Sequence, residues 1–241
     1  MRQRIAGVAV AVLGLWAAGS HGALEAPVSR AAACGEEGAA KAPACAAAVA
    51  ASDGELPEAW DNLRVPDVGG RDREVIPDGE LCSAGLDAYR GLDLPRADWP
   101  ATTLTPGDGF TFRYRGTIPH QGSFHLYVTA DGYDPARPLG WDDLEPRPFM
   151  EATDPPMKDG SYVMDGSLPE AKSGRHLIYT IWRNSDTPDT YYSCSDVVFT
   201  VAARPRAAEP EGGRLPWLAG GGLLALAAGL AVMARRHDRR R

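Results

Sequence analysis

The sequence lacks a GxSxG elbow, an HExxH helix motif and a glycine-rich phosphate loop, so serine-hydrolase, zincin and nucleotide-dependent chemistries have no motif to rest on. No two cysteines stand as CxxC, which argues against a zinc ribbon. No excess of basic charge is present. The chain carries 25 Lys+Arg against 32 Asp+Glu, a net charge of −7, and several of its basic groups sit at the two ends. The middle is therefore more acidic than the total, which excludes nucleic acid as an expected partner. Acids crowd at Asp142, Asp143 and Glu145, but acids packed into one loop are ordinarily solvated. They do not make the pair of carboxylates that must flank a hydrolysed glycosidic bond. No internal repeat is evident.

Long apolar runs are confined to the ends. Arg2 and Arg4 precede an apolar stretch, Ile5–Leu15, and the small residues Ala18, Gly19 and Ser20 follow. Positive start, apolar core and small residues form the pattern of a secretory signal over residues 1–20. Cleavage after Ser20 would make His21 the first residue, whereas cleavage after Gly22 or Ala23 would discard it. At the other end, residues 216–234 carry no charge. As a helix they would reach about 29 Å, one hydrocarbon core. Trp217 stands at the start of this segment, and the basic tail 235–241 follows it. Basic residues stay cytoplasmic, so the expectation is one C-terminal transmembrane helix with the globular part outside the cell. Residues 203–215, rich in Pro, Ala, Gly and charge, read as a flexible linker.

Residues 21–202 then form one domain. Alternation in Phe110–Gly116 and Ser123–Ala130, with further candidates at His176–Arg183 and Cys194–Val201, predicts strands separated by turn clusters. Short strands with frequent turns imply an all-β sandwich. Residues 34–98 are richer in Ala, Gly and Asp and predict a long loop-helix excursion. Cys34, Cys45, Cys82 and Cys194 are an even set suited to an exported protein. Three pairings are possible. The favoured one joins Cys34 to Cys45 within the alanine-rich loop and Cys82 to Cys194, a mid-chain loop to a late strand.

A free N-terminal histidine is an unusual ligand, because its amine and ring nitrogen can close a chelate on one metal ion. The amine titrates at about 7.7–8.0, so a metal displaces its proton near neutral pH. A second imidazole would complete three nitrogens, a donor set that suits one copper ion. His237 falls in the tail, His125 lies within a strand pattern and His176 opens another. His120 follows Ile118 and Pro119 at a strand-to-loop turn, where a ring can point out of a sandwich end.

The opening HGALEAPVSR (21–30) resembles the start of bacterial lytic polysaccharide monooxygenases, the type-4 chitin-binding family. The likeness continues through IPDGELCSAG (76–85), RADWP (96–100), the IPH turn (118–120), GWDDL (140–144) and YYSCSDVVF (191–199), in order and with matching spacing. The resemblance implies a fibronectin III/immunoglobulin-like sandwich with a copper histidine brace on a flat face. It also implies oxidation of a glycosidic C–H bond in chitin or cellulose, using an external electron donor with oxygen or peroxide. Carried across by position, His21 and His120 match the metal ligands. Tyr191 matches the axial aromatic, and Asp189 matches the polar residue that orients the oxygen co-substrate; the latter alternatively reads as a solvated loop aspartate.

Some positions depart from the family pattern. Ile118 stands where alanine is usual, which puts oxygen access in question. Trp60 matches an aromatic on the substrate face of cellulose-active members, but Glu58 replaces a frequent tyrosine there. Flat rings stack on sugars and a carboxylate does not, which weakens the case for cellulose. The expected partners are insoluble chitin, cellulose or a cell-surface glycan, an electron donor, and the membrane. Two other readings stay open: a copper-binding or delivery protein, and a non-catalytic glycan-binding surface protein.

Overall fold

A computed structural model describes residues 22–35, 42–54 and 61–200. His21, Glu58, Trp60 and the segments 1–20, 203–215, 216–234 and 235–241 lie outside the described residues. The chain begins with β1 (Gly22–Ala26), then α1 (Arg30–Cys34), α2 (Pro43–Ala51), β2 (Arg64–Pro66) and α3 (Asp72–Val75). A 3₁₀ turn at Asp87–Asp93 leads to β3 (Ala101–Leu104), β4 (Gly109–Gly116) and β5 (Gly122–Val128). The remaining strands are β6 (Met150–Thr153), β7 (Met157–Lys158), β8 (Ser161–Ser167), β9 (Gly174–Asn184) and β10 (Asp189–Phe199).

Two sheets face each other. One has the order β1-β4-β8-β7; the other has β2-β10-β9-β5-β6, with β3 pairing in parallel to β10. The inward faces bury Leu24, Phe112, Tyr114, Tyr162 and Met164 from the first sheet against Phe124, Leu126, Ile178, Trp182, Tyr191 and Val197 from the second. The alternation in β4 and β5 follows from this, because each has one face in that core.

β9 behaves differently: His176 through Trp182 are all buried, with no alternation. The outer face of the larger sheet is also covered. Leu177, Tyr179, Ile181 and Tyr192 pack under Ala44, Ala48, Leu63, Ile76 and Leu81 of the excursion, together with Trp99 and Trp141. A strand buried on both faces loses its polar phase. The excursion is thus a third layer that completes the core.

The disulfides are Cys34–Cys45, which ties α1 to α2, and Cys82–Cys194, which ties the excursion to β10. Polar anchors add to them. Ser29 caps α1 by accepting the Ala32 N–H at 3.2 Å. Arg30 is buried, donates to Asp196 at 2.7 Å and to the Leu92 carbonyl at 2.7 Å, and lies 4.5 Å over the Trp99 ring. Arg175 donates to the other Asp196 oxygen at 3.3 Å. A buried carboxylate is tolerable only with such partners. Trp141 donates its indole N–H to the Ile76 carbonyl, and its backbone N–H to Asp78. The stretches that carry the family resemblance are therefore largely the pieces that fasten the third layer to the sandwich.

Among the described residues, no helix is long and apolar enough to cross a membrane.

Candidate metal centre

One end of the sandwich gathers the start of β1, the β4–β5 connection and the β9–β10 hairpin. The first sheet brings Gly22 opposite Gly116, the last residue of β4. Four residues later His120 stands in the crossing from the first sheet to the second. Glycine is required at the two facing positions by space. A Cβ on Gly22 would lie 2.4 Å from the Tyr114 ring and 2.9 Å from the Arg115 carbonyl oxygen. A Cβ on Gly116 would lie 2.9 Å from the Tyr162 ring. The Gly22 N–H donates to the Asp61 carbonyl at 3.0 Å, fixing where the chain enters β1.

The His120 side chain is 17% exposed. Its Nδ1 lies 3.1 and 3.2 Å from the two oxygens of Asp186, in the β9–β10 hairpin. A proton on Nδ1 satisfies that contact and leaves Nε2 as the lone-pair nitrogen. The ring centroid is 6.3 Å from that of Trp182. Trp182 is fully buried and sits among Tyr191 at 4.9 Å, Tyr162 at 5.1 Å, and Tyr114 and Phe124 at 5.3 Å. His120 therefore stands on an aromatic floor that also supports Gly22 through Tyr114.

Asp189 is a strand residue of β10, opposite Pro66 of β2, and not a loop aspartate. Its carboxylate is mostly buried and accepts from Arg64 at 3.3 Å and from the Thr187 hydroxyl at 3.4 Å. Tyr191 has no exposed surface and belongs to the core between the sheets. His125 faces Glu151 across the β5–β6 ladder at 3.2 Å. His176 is buried, 2.9 Å from the Thr129 hydroxyl, and burial followed by the nearby Lys172 charge lowers its pKa. Neither of these histidines joins His120.

Asp186 and Tyr162 were not anticipated as site residues. In the sequence Asp186 is one more polar residue of a turn, and Tyr162 lies in a strand that carries no strong alternation. Their proximity to His120 is made by the hairpin and by the facing of the two sheets. Among the described residues, no three His, Cys, Asp or Glu side chains are grouped to hold a metal.

The fold and this end of it define a class: a β-sandwich that sets an oriented, partly exposed imidazole beside the start of its first strand. The family described as lytic polysaccharide mono-oxygenase, cellulose-degrading, matches residues 21–197. The chain belongs to that family. It is 40% identical over 230 residues to the chitin-binding protein CbpD of Pseudomonas aeruginosa, covering 92% of this chain and 57% of that one. It is 41% identical over 150 residues to a lytic cellulose monooxygenase of Streptomyces ambofaciens, covering 58% of this chain and 40% of the other. It thus spans about half the length of these curated relatives. The solved structure of cellulose-active LPMO CelS2 (ScLPMO10C) in complex with copper superposes with a TM-score of 0.69 at 36% identity, over 75% of this chain and all of that one.

Proposed function

We propose that this protein is a copper-dependent monooxygenase that oxidatively cleaves glycosidic bonds in chitin- or cellulose-like polysaccharide, with His21 and His120 as the ligands of one copper ion. The observation that carries the reading is the setting of His120. Asp186 holds Nδ1 and leaves Nε2 for a metal, while β1 delivers its first residues to the same end of the sandwich. The donor chemistry fits: an amine and two imidazoles are all-nitrogen ligands of the kind copper favours. The copper-bound relative and the family match support copper as the metal.

When bound, copper supplies one-electron redox chemistry that an outside electron donor and oxygen or peroxide turn into oxidation of a sugar C–H bond. The chain's own residues do the rest. His21 binds through its amine and ring, which requires removal of residues 1–20. His120 binds through Nε2, and Asp186 orients it. Tyr191 and Trp182 close the site from below and exclude water, since both are fully buried. Asp189, held by Arg64 and Thr187, orients the oxygen co-substrate. Trp60 and Glu58 are carried, from the family likeness in sequence, as the residues that would contact the polysaccharide. The names of the relatives point to chitin and to cellulose.

Residues 216–234, uncharged and followed by a basic tail, anchor the domain 21–202 to the outer side of the membrane through the linker 203–215. An anchored enzyme works on glycans within reach of the cell surface.

The test takes the exported protein, its N-terminus defined by mass spectrometry, loads it with copper and adds reductant, peroxide and either chitin or cellulose. Oxidised oligosaccharides are expected, and are lost in His120→Ala. Copper-loaded protein that yields none on either substrate refutes the reading. Removal of residues 216–241 should shift the protein from membrane to medium; an intact chain found wholly in the medium refutes the anchor.

A further inference from the structure

We propose that Tyr162 is a positioning residue for His120: its one hydroxyl holds both backbone polar groups of the histidine and so sets where the imidazole stands. The inference rests on the reading of His120 as a copper ligand. The Tyr162 hydroxyl accepts the His120 N–H at 2.6 Å and donates to the His120 carbonyl at 2.8 Å. His120 lies where the chain crosses from one sheet to the other, outside both strands, so no ladder bond defines its backbone. One phenol takes the place of that ladder.

The phenol is itself tightly fixed. Tyr162 lies on β8 opposite Tyr114 of β4 and is 4% exposed. Its ring packs 5.1 Å from Trp182 and 5.3 Å from Phe124. The space beside the ring exists because residue 116 is glycine. Asp186 then fixes the ring of the histidine whose backbone Tyr162 fixes. Backbone and ring are held by different elements, β8 and the β9–β10 hairpin. Copper ligands work when they are pre-placed, and partners behind a ligand typically change metal affinity by about 10–100-fold.

The test compares Tyr162→Phe with Tyr179→Phe in the exported full chain. Tyr179 is also fully buried, and its hydroxyl has no hydrogen-bond partner, but it lies on the opposite face of β9. Tyr162→Phe keeps the ring and loses both bonds. The expected result is copper(II) affinity weaker by about 10–100-fold, with altered copper hyperfine splitting in the electron paramagnetic resonance spectrum. Tyr179→Phe should match the wild type in both. Wild-type affinity and spectrum in Tyr162→Phe, with binding abolished in His120→Ala, overturn the proposal alone. Undiminished copper binding in His120→Ala overturns both the proposal and the reading beneath it. A measurement on the wild type guards against a variant that does not fold. The His120 amide should exchange with deuterium slowly despite lying in a loop, and free exchange there overturns the clamp.

Discussion

The carboxylate of Asp186 lies 3.1 Å from Nδ1 of His120, across 66 positions of sequence. It selects the ring tautomer in which Nε2 carries the lone pair, the nitrogen a metal would use. Asp186→Ala should weaken copper(II) binding by about 10–100-fold. Asp186→Asn keeps an acceptor oxygen and should fall between the two. The pair is partly exposed, so the melting temperature of the metal-free protein should hardly move. Titration calorimetry and a thermal melt separate the two effects, and equal copper affinity in all three proteins would sink the assignment.

Gly22 opens β1 with its α-carbon against the Tyr114 ring. In Gly22→Ala the new methyl would stand 2.4 Å from that ring and 2.9 Å from a backbone oxygen, and the backbone oxygen cannot yield alone. Overpacking of this kind costs about 1–3 kcal/mol. For a domain of this size that is a fall of roughly 2–12 °C in melting temperature. An unchanged melt would show that β1 has more room than the structure gives it.

Asp93 makes the third layer sensitive to pH. Burial pushes its pKa up to about 6, against the hydrogen bonds from Ser83 and Cys82. One carboxyl oxygen accepts both of those N–H groups, and the other is buried without a partner, so a full negative charge is poorly solvated there. The folded state therefore keeps this proton where the unfolded chain has released it. The contribution of this group is whole below about pH 4 and declines as the pH rises toward 6, by about 3 kcal/mol on linkage. Asp93→Asn imitates the protonated form. Its stability advantage over the wild type should be near zero at pH 3 and largest above pH 7, measured by denaturant unfolding across that range. A difference that does not vary with pH would refute the account.

The two disulfides differ in the chain they close, 11 residues for Cys34–Cys45 and 112 for Cys82–Cys194. Loop-closure entropy makes the longer one worth about 2 kcal/mol more. Replacing Cys82 and Cys194 together by alanine should therefore lower stability more than replacing Cys34 and Cys45. The longer bridge also fastens the third layer onto β10, which adds to the loss. Equal effects in denaturant unfolding would contradict the ordering.

Local chemistry along the chain was enough for several conclusions. Alternation placed β4 and β5, because each has one face in the core and one toward solvent or a polar edge. The even cysteine count and the character of the two flanking loops were enough to favour the pairing that the structure holds. Local chemistry alone left His120 as a turn histidine after a proline, and the likeness to the family singled it out. β8, the early start of β10 at Asp189, and the burial of β9 on both its faces were not legible, because these reflect what covers each strand rather than any local period. The same holds for Asp186 and Tyr162. Nothing within a few residues of either marks it as a partner of His120, since hydrogen bonds between segments 42 and 66 positions apart exist only once two sheets and a hairpin meet. Residue type and spacing determined which groups could bind a metal; only tertiary packing decided which of them are held still, because orientation is a property of neighbours that sequence distance does not encode.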